Sequence, residues 1–163
     1  MHDPGKIVVD LALCAALGGD HLSDLALLRS QGEVFGPVAS DPTVCRLMKT
    51  LAGDADAVEA AVEAARGEVR RRVWSLAGEH APTAGISAAS PLVIDVDATL
   101  VEVHSAKEGA APTFKGGFGH HPLTAWFDHG ADGAGECAAI MLRPGNAGAN
   151  TAADHIEVIS RAL

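Results

Sequence analysis

The chain has 163 residues, 48% of them hydrophobic and 20% charged, enough apolar material for one ordinary domain or two small ones. Its net charge of −9 excludes a broadly basic protein that coats nucleic acid, so any such contact has to be local. The longest apolar stretch near the start, Leu11 to Leu17, lies between Asp10 and Gly18-Gly19-Asp20 and is too short to cross a bilayer.

In chain order, Asp3-Pro4 reads as the N-cap and first residue of a helix whose apolar side is Ile7, Val8, Leu11, Ala15 and Leu17, stopped by Gly18-Gly19. Ser23-Asp24 leads a second, short helix. Ser40-Asp41-Pro42 starts another, with Val44, Leu47, Met48 and Leu51 on one face and Thr43, Arg46, Lys49 and Thr50 on the other. From Asp54 to about Glu79 the spacing predicts the longest helix, with a seam of Val58, Val62, Ala65, Val69, Val73 and Leu76 facing the core. Residues 78–91 are rich in Gly, Pro and Ser and mark a boundary. The expected organisation is a helical segment over 1–80, a linker over 81–90 and a strand-rich segment over 91–163. Within the last, strands are predicted at 91–104, 122–129 and 136–142, with a long loop through Gly116-Gly117-Phe118-Gly119, a turn over Gly130 to Gly135, and a helix from about Asn150-Thr151 to Leu163. Three strands joined by a loop and a turn, then a helix, imply an antiparallel meander with a helix packed on it. The class is α+β.

The run Val93 to Val103 sets Asp95 and Asp97 two residues apart in a β-branched stretch. In a strand those two share a face while Ile94, Val96 and Ala98 take the other. Such a pair either lies on the solvated face of an edge strand or presents acids to a metal or phosphate. Cys14, Cys45 and Cys137 are odd in number, far apart and in apolar settings, which reads as reduced thiols in a cytoplasm.

Two families share the acidic motif. Asp95-Val96-Asp97-Ala98-Thr99 resembles the first motif of haloacid-dehalogenase-like phosphatases, which would make Asp95 the nucleophile and Asp97 the general acid. That family has a parallel sheet, against the meander expected here. A resemblance spread over nearly the whole chain is to bacterial insertion-sequence transposases of the DDE class, the thirteen-eighty type. It rests on His2-Asp3-Pro4-Gly5-Lys6, on Phe35 to Val44, on Ile94 to Thr99, on Ala111 to Gly119, on His121-Pro122-Leu123 and on Leu142 to Thr151.

This resemblance implies an RNase-H-like catalytic domain, of which residues 91–163 match the first half (β-β-β-α). It also implies two-metal phosphoryl transfer with Mg²⁺ (or Mn²⁺). The family's first Asp precedes a Thr by two residues, which falls on Asp97 with Thr99, leaving Asp95 as the alternative. Its second Asp and its Glu would lie past Leu163. The chain is therefore expected to be a fragment, inactive alone and without a tightly bound metal, of a parent that acts on the DNA of its own terminal inverted repeats. A non-catalytic remnant that pairs strand edges into a homo-oligomer is a further reading.

Arg46 and Lys49 are candidate DNA contacts on a helix that resembles one arm of a helix-turn-helix, although a solvated basic face reads the same way. Lys115, in its Gly-rich loop, is a candidate phosphate contact beside the acidic strand. Arg70-Arg71-Arg72 reads as a solvated run pairing with Glu68. His120, His121, His129 and Cys137 match no common zinc spacing.

Overall fold

The computed structural model describes residues 2–130 and 135–163. It divides into two compact units, Met1–Ala64 and Ala65–Leu163. The first is helical. Helix α1 (Pro4–Ala16) is capped by the Asp3 carboxylate, which accepts from the Lys6 N–H at 2.8 Å, and Pro4 costs nothing there because the first amides of a helix have no intrahelical acceptor. Gly18, at φ +90°, turns the chain out of it. Short helices α2 (Leu25–Ser30) and α3 (Gly32–Phe35) precede α4 (Asp41–Leu51), which starts at Ser40 as expected. Ile7, Cys14, Leu25, Leu28, Ala39 and Val44 form the core of this unit. Asp10 is buried on α1 but pairs with Lys6 one turn earlier, Nζ to Oδ2 at 2.7 Å, which offsets the cost of its burial.

Helix α5 (Ala55–Ala77) corrects one expectation. Val62, Val69, Val73 and Leu76 of the predicted seam are exposed. The positions that meet the second unit's sheet are Arg66, Arg70 and Trp74, four residues apart and therefore on one face. They turn inward because the sheet edge offers them acceptors and a ring, described below.

The second unit contains β1 (Ile94–Ala98), β2 (Val101–Glu102), β3 (Ala111–Pro112), β4 (Phe118–His120), β5 (Leu123–Phe127), β6 (Glu136–Met141) and helix α6 (Ala152–Ala162). One sheet has the order β1-β5-β6 and the other β2-β4-β3, and every pairing is antiparallel. The molecule is thus a mixed α+β protein whose three main strands pair as the meander predicted. The single strand expected over 91–104 is interrupted at Thr99-Leu100, and the expected loop through Gly116–Gly119 holds β3 and β4. The turn expected over Gly130 to Gly135 lies largely outside the described residues.

The two sheets are one ribbon. Ala98 is opposite Leu123 and Val101 is opposite His120, and between them the Thr99 N–H donates to Pro122 O at 3.2 Å. The register therefore runs unbroken from Ile94 to Val103, whose N–H donates to Phe118 O at 3.0 Å. The third strand continues as well: the His121 N–H donates to Arg143 O at 3.1 Å, and His120 bridges Pro144. Two glycines make the far end possible. A Cβ on Gly119 would overlap the Val101 carbonyl, and one on Gly145 would overlap the carbonyls of Ala111 and Gly119.

Side chains alternate along this ribbon. One face carries Ile94, Val96, Ala98, Leu123, Ala125, Phe127, Ala139 and Met141, covered by Val158 and Ala162 of α6. Burying one such large side chain contributes about 1.5–3 kcal/mol. Arg143, 6% exposed, ties the start of α6 to the ribbon by donating to His121 O (3.0 Å), Gly148 O (2.9 Å) and Asp154 Oδ2 (2.8 Å).

Candidate metal and nucleic-acid site

The other face of the ribbon is open. Its rows are Asp95, Trp126 and Cys137, then Asp97, Thr124 and Ile140. Asp95 and Asp97 are exposed on it while Ile94, Val96 and Ala98 are half-buried beneath. Among the described residues neither carboxylate has a hydrogen-bond or ion-pair partner. They are hard oxygen donors about 7 Å apart along the strand, left in water. That donor chemistry fits a Mg²⁺ ion, which takes one or two carboxylates and completes its shell with water and substrate phosphate. No group of three or more His, Cys, Asp or Glu side chains is close enough to hold a metal among the described residues.

Thr124 and Trp126 support Asp97. Thr124 Oγ1 donates to the Asp97 carbonyl at 3.0 Å, and Trp126 Nε1 donates to Thr124 Oγ1 at 2.9 Å. No motif in the sequence singles out either residue, although their i, i+2 spacing in a predicted strand places them on one face.

The other sequence candidates lie elsewhere. Lys115 is in the turn between β3 and β4, with Nζ 5.8 Å from the exposed Phe114 ring. Phe118, just past this turn, pairs near Val103, six residues along the ribbon from Asp97, or about 20 Å of extended strand. Lys115 is therefore not beside the acidic pair. Its glycines serve a turn and a tight strand crossing, with Gly116 at φ +85°. Arg46 and Lys49 are exposed on α4, where Arg46 Nη2 donates to Thr43 Oγ1 at 3.0 Å.

The basic run of α5 is divided. Arg71 pairs with Glu68 as expected, but Arg70 is largely buried, its Nε 2.6 Å from Glu136 Oε1 and its guanidinium 4.8 Å above the Phe127 ring. Trp74 Nε1 donates to Glu136 Oε2 at 3.1 Å and packs edge-on to Phe127, while Arg66 donates to Cys137 O. Nothing in the sequence linked these residues across some 60 positions. The histidines are spent on local bonds: His120 Nε2 lies 3.0 Å from Glu108 O, His121 Nδ1 2.8 Å from Ala147 O, and His129 Nε2 3.4 Å from Glu136 Oε2.

The antiparallel pairing of β1 with β5 and of β5 with β6 is not the parallel crossover that a haloacid-dehalogenase-like phosphatase requires. Among the described residues no helix is long and apolar enough to cross a membrane. No curated protein and no solved structure matches the chain. The family model described as Transposase DDE domain group 1 matches residues 1–163, and the chain belongs to that transposase family.

Proposed function

We propose that this chain carries the first metal-binding carboxylate of a DDE transposase of the thirteen-eighty type, and that its β1-β5-β6-α6 unit is the first half of an RNase-H-like catalytic domain. The observation that carries the reading is the pair Asp95 and Asp97, exposed and, among the described residues, unpartnered on the first strand of an antiparallel three-stranded sheet backed by a helix. Asp97 is the ligand favoured by its position two residues before Thr99, with Asp95 as the alternative.

When bound at Asp97, Mg²⁺ or Mn²⁺ supplies charge neutralisation at the phosphate and activation of the attacking hydroxyl. The chain's own part is positional. Trp126 holds Thr124, and Thr124 holds the Asp97 backbone, so the carboxylate keeps its place when it exchanges water for metal. In a chain of net charge −9, a divalent ion on this face also offsets the repulsion that a DNA phosphate meets. The partner is the DNA of terminal inverted repeats, with Arg46 and Lys49 of α4 and the Lys115 turn as further phosphate contacts in a cytoplasmic setting. One described carboxylate pair does not hold two ions against water, so the 163-residue polypeptide by itself is expected not to cleave or join DNA. The open side of β1 also offers backbone groups for strand addition by a second copy, which sedimentation against concentration would detect.

The test is Asp97→Asn in a transposase that contains these residues. Strand transfer is expected to be abolished and Mg²⁺ affinity weakened, with the fold kept because the side chain is exposed. Retained transfer in that variant, with loss in Asp95→Asn, would move the metal to Asp95. Retention in both would remove this face from catalysis.

A further inference from the structure

The open face does not end at Asp97. Exposure alternates without a break through Thr99 and Val101 on the first strand and through Ile140, Leu142 and Pro144 on the third. With the register unbroken, the rows after Asp97, Thr124 and Ile140 are Thr99, Pro122 and Leu142, then Val101, His120 and Pro144. These rows hollow into a pocket of about 320 Å³, walled by Val101, His120, Pro122, Leu142, Arg143 and Pro144. Glu108 and Gly109 form a lip over it, held by the contact of His120 Nε2 with Glu108 O at 3.0 Å.

Three properties of the pocket bear on what fills it. Its walls are mainly aliphatic, with an imidazole at one side, and the one guanidinium among its lining residues, Arg143, is buried and already paired with Asp154 at 2.8 Å, so a phosphate finds no free cation among the lining residues. Its size is at the lower end of small-ligand pockets (about 300–1,000 Å³), sufficient for a flat heterocycle. It opens one row from Asp97, about 7 Å along the strand. Leu142, on its rim, is 79% exposed, an apolar side chain that the fold itself does not use.

We propose that this pocket receives an unstacked nucleobase of the DNA strand whose phosphate is held at Asp97. This rests on the transposase reading. The base is gripped by its faces, between the Pro122 and Leu142 side and the His120 side, so the site tolerates different bases and favours DNA already frayed or single-stranded, where unstacking costs least.

The test uses a duplex with a short single-stranded overhang and 2-aminopurine at the junction, with Ca²⁺ as a divalent ion that supports binding. Anisotropy reports binding, and 2-aminopurine emission reports unstacking. Wild type is expected to bind with a several-fold rise in emission. Leu142→Asp, folded because the site is exposed, is expected to bind about tenfold more weakly and to lose the rise, while Leu142→Met keeps both. Binding without a rise, or a rise that survives both Leu142→Asp and His120→Asn, would overturn the pocket and leave the transposase reading standing. Failure of wild type to bind this DNA at all would overturn both.

Discussion

The two faces of the ribbon are made from the same strands by alternate residues and have opposite fates. The inner face, with Leu123, Ala125 and Ala139 each at most 1% exposed, is closed by α6 and supplies the hydrophobic stabilisation of the unit. The outer face keeps two acids that have no partner among the described residues and leaves Trp126 and Ile140 at 38% exposure. The comparison separates stability from function along a single strand. Residues that hold the unit together point one way, and residues free to bind point the other.

Neighbouring substitutions on β6 test that separation most severely. Ala139→Asp puts an unpaired carboxylate into a fully buried position and is expected to unfold the second unit, seen as loss of dispersed amide resonances. Ile140→Asp, one residue on, is expected to cost under about 1 kcal/mol in urea denaturation. Equal effects would break the comparison. Arg143→Met removes three donated bonds from a buried position and leaves their acceptors without a partner, so about 3 kcal/mol of stability is expected to be lost. Thr124→Val sharpens the account of the outer face. It is expected to cost about 1 kcal/mol of stability and to weaken divalent-ion binding severalfold in calorimetry, whereas Thr43→Val on α4 leaves ion binding unchanged.

The smallest effect is in the helical unit. The Asp24 carboxylate accepts from the backbone N–H groups of His21 and Asp20, both at 2.9 Å, and these bonds hold its pKa below the usual carboxylate range, His21 contributing most. A lowered folded-state pKa means the contribution is present above the unfolded value and is lost as pH falls through the folded one. The stability difference between wild type and Asp24→Asn is therefore expected to be constant near neutrality and to vanish in strong acid.

Much of this was legible in the sequence, because local signals carried it. Asp3-Pro4 sets one helix start through a side-chain cap, Ser40-Asp41-Pro42 sets another with a proline in the first turn, and the alternation around Asp95 and Asp97 sets the faces of β1. What was hidden depended on partners distant in sequence. The apolar spacing of α5 suggested an inward seam at Val62, Val69 and Val73. The sheet edge instead offered Glu136, the Cys137 carbonyl and the Phe127 ring, and so drew in Arg66, Arg70 and Trp74. In the same way Lys115-Gly116-Gly117-Phe118-Gly119 suggested a phosphate cradle, because spacing alone does not reveal that Gly119 and Gly145 meet where three strands cross. The pocket beside Asp97 needed the register of all three strands, which no single segment contains.

The central claim is that the outer face around Asp97 binds the divalent ion, and paramagnetic broadening by Mn²⁺ in the ¹⁵N-labelled chain tests it directly. The account predicts broadening centred on the amides of Asp95 to Asp97 and of Thr124 and Ile140 opposite them, removed by Asp97→Asn. Broadening centred on another acidic site, such as Asp20 to Asp24 or Asp154, or left unchanged by Asp97→Asn, would contradict it.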